Sequence, residues 1–142
     1  MKRITKEGLD SDDTRQCQCG CGQKIINKEM VNCLYRLCNC LFKAMPPIMS
    51  DKQEIALYIT SWNRCKKHNK DIGGAKNSLH IKGKAVDFAA AYVLDGEEYL
   101  IPADMVAFIL DKMDTKKNEI ITYEKGRVHF GISDKKIRGD NK

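Results

Sequence analysis

The stretch Ser78-Leu79-His80-Ile81-Lys82-Gly83-Lys84-Ala85-Val86-Asp87 constrains this chain more than any other. It sets one imidazole and one carboxylate seven positions apart, with a glycine between them. Residues 85–91 read as a strand, which turns Val86 and Phe88 to one face and Ala85, Asp87 and Ala89 to the other. The alanines leave room above the Asp87 carboxylate. Gly83 lets the chain bend so that His80 returns over that space. A neutral imidazole nitrogen and a carboxylate oxygen are two of the three protein ligands that a catalytic zinc takes, the fourth position being left to water.

The third ligand must come from elsewhere, and the chain has three histidines, His68, His80 and His129. His129 lies in a second alternating segment, Gly126-Arg127-Val128-His129-Phe130-Gly131-Ile132. His80, Asp87 and His129 together make a two-histidine, one-carboxylate zinc set. Spacing alone also accommodates a hydrogen-bonded strand histidine and an aspartate that caps a turn.

Ser78-x-His80-x-x-Gly83-x-Ala85-x-Asp87 resembles the SxHxxGxAxD signature of the M15 zinc peptidases, with every fixed position present. Ile59-Thr60-Ser61-Trp62-Asn63-Arg64-Cys65-Lys66-Lys67-His68-Asn69 resembles the family's TSGYR…HN segment, with Trp62-Asn63 in place of Gly-Tyr. Arg127-Val128-His129-Phe130-Gly131 resembles its final VHxD strand, with Gly131 where Asp is common. The blocks follow the family's order between about Cys17 and Ile132. The resemblance implies a hedgehog/D,D-peptidase-like α+β fold and a zinc metallopeptidase of the D,D-carboxypeptidase or L,D-endopeptidase type. Its substrate would be the peptidoglycan stem peptide, as in phage endolysins. It also implies Zn²⁺ on His80, Asp87 and His129, and Arg64 as the anchor for a substrate carboxylate, which a guanidinium grips with two parallel hydrogen bonds. Ser78 is placed on the substrate side with Arg64, or as the residue that steadies the His80 loop. A nucleophilic role for it is not expected, since no Ser-His-Asp arrangement is evident.

The general base is where the chain departs from part of the family. Some relatives carry a Glu three residues before the final histidine, and here that position is Gly126. Others place a titratable residue five positions before it, and here that is Glu124. If Lys125-Gly126 is a two-residue turn, Glu124 pairs with Arg127 and Thr122 with His129. Glu124 and His129 then share a face. Glu124 is therefore the expected base.

With 142 residues the natural expectation is one domain, here residues 17–134, flanked by a polar arm over 1–16 and a polar tail over 135–142. Hydrophobic content of 42% with 31% charged residues excludes a disordered chain. No apolar run approaches the ~20 residues of a membrane span, and the basic N-terminus lacks the apolar segment of a secretory signal. A cytoplasmic protein that reaches the cell wall only on holin-dependent release or lysis is expected, without membrane insertion and as a monomer. The net charge of +6 favours polyanions. Its basic pairs Lys66-Lys67, Lys116-Lys117 and Lys135-Lys136 are scattered and read as solvated surface, so no nucleic acid partner is expected.

Cys17-Gln18-Cys19-Gly20-Cys21 suggests either a metal knuckle or a disulfide partner, and Cys65 is able to join it. The spacing is not that of a standard zinc-finger pair. Seven thiols without a signal peptide are more often reduced than bridged. Two other function classes remain open on these features: a non-catalytic, metal-containing wall-binding module, and a basic nucleic-acid-binding domain organised by the cysteines.

Around these motifs the pattern predicts a helix over 27–43, capped by Asn27, with Met30, Leu34, Leu37 and Leu41 on one face. A short strand at 55–59, a loop over 65–79, a turn at Asp95-Gly96 and a helix over 102–113 follow. Strands at 119–123 and 127–132 close an antiparallel hairpin. The expected fold is a small antiparallel sheet with the two helices packed against it.

Overall fold

Asn27 sets the entry to the first helix: its side chain accepts the Met30 N–H at 2.9 Å, satisfying a donor that the helix itself leaves without a partner. Helix α1, Lys28–Ala44, buries Met30, Val31, Cys33, Leu34, Leu37, Cys38 and Leu41, the apolar face read from the sequence. The computed structural model describes residues 2–5, 8–9, 17, 19–21, 27–45, 53–113 and 118–141. The Pro46-Pro47 pair expected to stop α1 and the Lys116-Lys117 pair lie outside them, as does most of the 1–16 segment.

The architecture is α+β. Seven strands form one sheet in the order β1-β2-β3-β6-β5-β7, with β4 also paired to β3. Their ranges are β1 Lys2–Thr5, β2 Gln53–Ser61, β3 Ala85–Leu94, β4 Glu97–Leu100, β5 Asn118–Tyr123, β6 Arg127–Ile132 and β7 Ile137–Asn141. Every pairing is antiparallel except β5 with β7. Helix α3, Ala103–Met113, contributes Val106 and Leu110 to the core, and Pro102 accepts from the Met105 and Val106 N–H groups at its start.

The sheet is larger than expected, because both chain ends join it. In place of a loose arm, Lys2–Thr5 pairs with β2, and Ile4 and Leu9 are buried in the core. Within the polar tail, Ile137–Asn141 lies parallel to β5, and Arg138 donates to Asp111 and to the Asn118 carbonyl. Mostly polar residues can join a sheet edge because the backbone supplies the hydrogen bonds. The loop expected over 65–79 also contains regular structure: helix α2, Lys66–Asp71, before a 3₁₀ turn at Leu79–Lys82.

One face of the sheet is the core. Ile55, Leu57, Ile59, Val86, Phe88, Ala90, Tyr92, Ile120, Val128 and Phe130 belong to one cluster with residues of α1 and α3. Alternation turns Asp87, Ala89 and Ala91 of β3, and His129 of β6, to the other face. The functional residues therefore stand on the back of a buried apolar layer, which fixes the strands that carry them.

Candidate metal centre

Asp87 and His129 are cross-strand partners on β3 and β6. The His129 Nδ1 lies 2.7 Å from Asp87 Oδ1. His80 comes to the same carboxylate from the 3₁₀ turn, its Nε2 3.2 Å from Asp87 Oδ2. The three residues each offer a ligand atom within 4.8 Å of the others. His80 is buried, while the Asp87 side chain keeps 30% of its exposure, so the cluster opens to solvent on the carboxylate side.

The His80 turn is held by local chemistry. The Ser78 hydroxyl accepts from the His80 N–H at 3.2 Å and caps the turn. Gly83 closes it at φ 67, a left-handed conformation that a side chain would strain. The turn is then bound to residues 62–64. The Trp62 indole donates to the Gly83 carbonyl at 3.3 Å, and the Arg64 N–H donates to the His80 carbonyl at 3.1 Å. His80 Nδ1 donates to the Trp62 carbonyl at 2.8 Å. A carbonyl can only accept, so this bond puts a proton on Nδ1 and turns Nε2 toward Asp87.

His129 is held from both sides. Its Nε2 lies 2.9 Å from Glu119 Oε1 on β5. With no metal between them, both nitrogens donate to carboxylates and the ring carries a charge. Burial works against that charge, but the hydrogen bonds that His129 donates to Asp87 and Glu119 prevail and raise its pKa. Burial likewise opposes the Asp87 charge, and hydrogen bonds from His129 and His80 outweigh it, holding Asp87 well below the usual carboxylate range.

The residues fit a zinc ion. Two imidazole nitrogens and a carboxylate oxygen converge, and a cation can replace the protons between them, leaving His80 Nε2, His129 Nδ1 and Asp87 as its ligands. The His80–Trp62 carbonyl and His129–Glu119 bonds have the form of the outer hydrogen bonds that orient metal-bound histidines.

Arg64 is buried rather than on the surface. Its Nη1 donates to Asn69 Oδ1 at 3.0 Å and its Nη2 to Ser61 Oγ at 3.2 Å. Nε meets no partner among the described residues. Desolvation lowers its pKa, and the nearby Asp87 charge works in the opposite direction. His68 lies on α2 and does not belong to the cluster. A cavity of about 620 Å³ lies beside this region, lined by Lys66, Asn69, Lys70, Gly74 and Lys76 among others. None of the three metal-set residues lines it.

The register expected for the β5–β6 hairpin is corrected. His129 pairs with Ile121 and not with Thr122, which faces Val128. The connection is the three residues Glu124-Lys125-Gly126, with Lys125 at φ 59 and Gly126 at φ 74, and the odd count reverses the parity on which Glu124 was placed. Glu124 is exposed in the loop. The carboxylate that β5 brings to His129 is Glu119, which sequence reasoning missed. A glycine at 131 in place of an acid was the available signal, because Glu119 is the residue directly opposite it.

Residues 7–101, more than half of the chain, match the family model described as Peptidase M15. The match covers Arg64, His80 and Asp87, and stops short of His129. No curated protein and no solved structure matches the chain.

Proposed function

The chain belongs to the M15 peptidase family, and we propose that it is a zinc-dependent peptidase that hydrolyses peptide bonds in peptidoglycan stem peptides, as an endolysin does. The observation that carries the reading is the convergence of His80 Nε2, the Asp87 carboxylate and His129 Nδ1, with the second nitrogen of each histidine engaged elsewhere. Zinc held there would polarise the scissile carbonyl and bring the pKa of a bound water down to about 7.

The chain's own residues supply the rest. Glu119 accepts from His129 Nε2 and so presents Nδ1 to the ion. Ser78 and Trp62 hold the His80 turn in place. Arg64 takes the substrate carboxylate. Of its five N–H donors, Asn69 and Ser61 occupy one on each terminal nitrogen. Nε–H has no partner among the described residues but is closed off from solvent, so the grip falls to the remaining terminal N–H groups. Burial makes that grip stronger than it would be in water.

The test is digestion of purified peptidoglycan followed by mass spectrometry of the fragments, with zinc content measured on the same preparation. New amino and carboxyl termini within the stem peptide, lost in His80→Ala protein, are expected. Intact stem peptides after incubation with zinc-loaded protein would overturn the reading in favour of a binding module.

A further inference from the structure

Four thiols come together in a second cluster, distinct from the His80, Asp87 and His129 set. Cys17, Cys19 and Cys21 on the N-terminal segment and Cys65 at the start of α2 place their sulfur atoms within 4.8 Å of one another. Cys17 and Cys19 stand 3.4 Å apart, and Cys19 and Cys65 3.5 Å. None of the four is joined in a disulfide. We propose that they bind a structural zinc ion as a four-thiolate site, joining the N-terminal segment to the residues that hold Arg64.

The geometry suits that ion. Zinc–sulfur bonds of about 2.3 Å in a tetrahedron put sulfurs about 3.8 Å apart. The segment folds back on itself, with the Gly20 N–H donating to the Cys17 carbonyl at 3.4 Å, so Cys17, Cys19 and Cys21 can converge. Gly20 between the last two adopts φ 84 with open space around its Cβ position, which lets the segment turn toward Cys65. Hydrophobic burial does not account for the cluster, because Cys19 and Cys21 are exposed.

The backbone treats two of these sulfurs as acceptors. The Cys65 N–H donates to Cys17 Sγ at 3.3 Å, and the His68 N–H donates to Cys65 Sγ at 3.3 Å. N–H groups aimed at sulfur stabilise thiolate over thiol and are the outer contacts that orient metal-bound cysteines. Arg64 precedes Cys65 and balances negative charge on both sides, since Asp87 and Cys17 both act on its guanidinium.

A closed four-ligand site serves structure and not turnover. Here it would fix Cys65, the N-cap of α2, and through it the 62–64 segment that holds the His80 turn. The ion would close the long loop between residues 21 and 65, a constraint of the kind that gains most from cross-linking.

The experiment is metal analysis of the full chain purified under reducing conditions, alongside cobalt substitution. About two zinc ions per chain are expected if each site takes one. His80→Ala/His129→Ala protein should keep about one, and Cys19→Ser protein should lose the other while keeping the ion on the histidines. Cobalt-loaded parent protein should show thiolate-to-metal charge-transfer absorption, a readout that needs no variant and holds even where Cys19→Ser fails to fold. Zinc that vanishes entirely from the His80→Ala/His129→Ala protein, or cobalt protein without a thiolate band, would overturn the site. Neither result touches the His80 centre, which is read from the zinc that the Cys19→Ser protein retains.

Discussion

Glu119 and Gly131 stand directly opposite each other on β5 and β6, and the Glu119 carboxylate occupies the space that the glycine leaves empty. A Cβ at position 131 would lie 3.1 Å from Glu119 Oε1 and 3.4 Å from His129 Nε2. In the VHxD pattern that this strand resembles, the acid sits two residues after the histidine, on the same strand and face. Here the acid arrives from the neighbouring strand. The carboxylate on His129 Nε2 thus comes from β5.

Glu119→Ala should therefore weaken zinc binding at the His80 centre by about 10–100-fold, the usual cost of losing a ligand's outer hydrogen bond. Adding Gly131→Asp to Glu119→Ala should recover much of that loss, because the new acid can reach His129 Nε2 from its own strand. The nearest obstacle is the Leu79 Cδ1, 2.8 Å from the new Cβ and at the end of a flexible side chain. Chelator competition measures both variants. A double variant no better than Glu119→Ala would show that the two positions do not exchange this role.

Much of the centre was legible in the sequence because its parts are local. Ser78, His80, Gly83 and Asp87 lie within one turn and one strand, so spacing brought them near one another and the family resemblance grouped them. His129 was found because alternation in its strand is clear. The hairpin parity was not legible, since a two-residue and a three-residue loop both accommodate Lys125-Gly126, and one residue decides which face every β5 side chain takes. Glu119 was lost through that single step. β1 and β7 were missed because edge strands are held by backbone bonds and need little apolar patterning, and helix α2 because Lys66–Asp71 has only one buried residue.

Glu124→Gln is expected to leave both zinc content and peptidoglycan turnover unchanged. The side chain is exposed in the loop, and the register no longer sets it beside His129. Loss of turnover with zinc intact would return Glu124 to the reaction as a proton acceptor, a role worth about 10²–10⁴-fold.

Arg64→Lys should sharply reduce cleavage of stem peptides while leaving zinc in place. An ammonium cannot reproduce a planar fork, and the bonds to Asn69 and Ser61 would compete for its donors. Steady-state kinetics on a soluble stem peptide with a free carboxylate, compared with the same peptide amidated, locates the effect. Equal discrimination between the two peptides in parent and variant would remove Arg64 from substrate recognition.

Trp62→Phe tests how the His80 turn is held. Trp62 is 2% exposed, and its indole N–H bonds to the Gly83 carbonyl. Removing that donor leaves a buried carbonyl without this partner and some empty volume, together costing about 1–3 kcal/mol. The His80–Trp62 contact uses the backbone carbonyl and should survive. Chemical denaturation should show the lower stability, with zinc bound at the His80 centre as before. Loss of zinc from the folded variant would mean that the indole sets the position of His80 directly.

The pH dependence follows from His129 and Asp87. In metal-free protein the His129 pKa is raised, so its stabilising contribution is complete below the ordinary histidine value of about 6.5 and disappears as pH rises through the folded-state value. The Asp87 pKa is depressed, so its contribution is complete above the ordinary value of about 3.9 and is lost as pH falls through the folded-state value. Between about pH 4 and 6.5 both contributions are present, and there these two residues add most to the stability of chelator-treated protein. Zinc reverses the alkaline side. It takes the Nδ1 position from a proton, so binding releases that proton and apparent affinity climbs with pH until His129 is neutral in the free protein. Thermal unfolding with and without zinc should diverge as pH increases from about 5 to 8, and titration calorimetry in buffers of different ionisation enthalpy should count the proton released. In Cys19→Ser protein, which leaves only this centre to take zinc, adding His129→Gln should abolish the release. A zinc affinity that is flat across this range would show that His129 is already neutral before the metal arrives, and would remove the charged bridge between Asp87 and Glu119 from the resting protein.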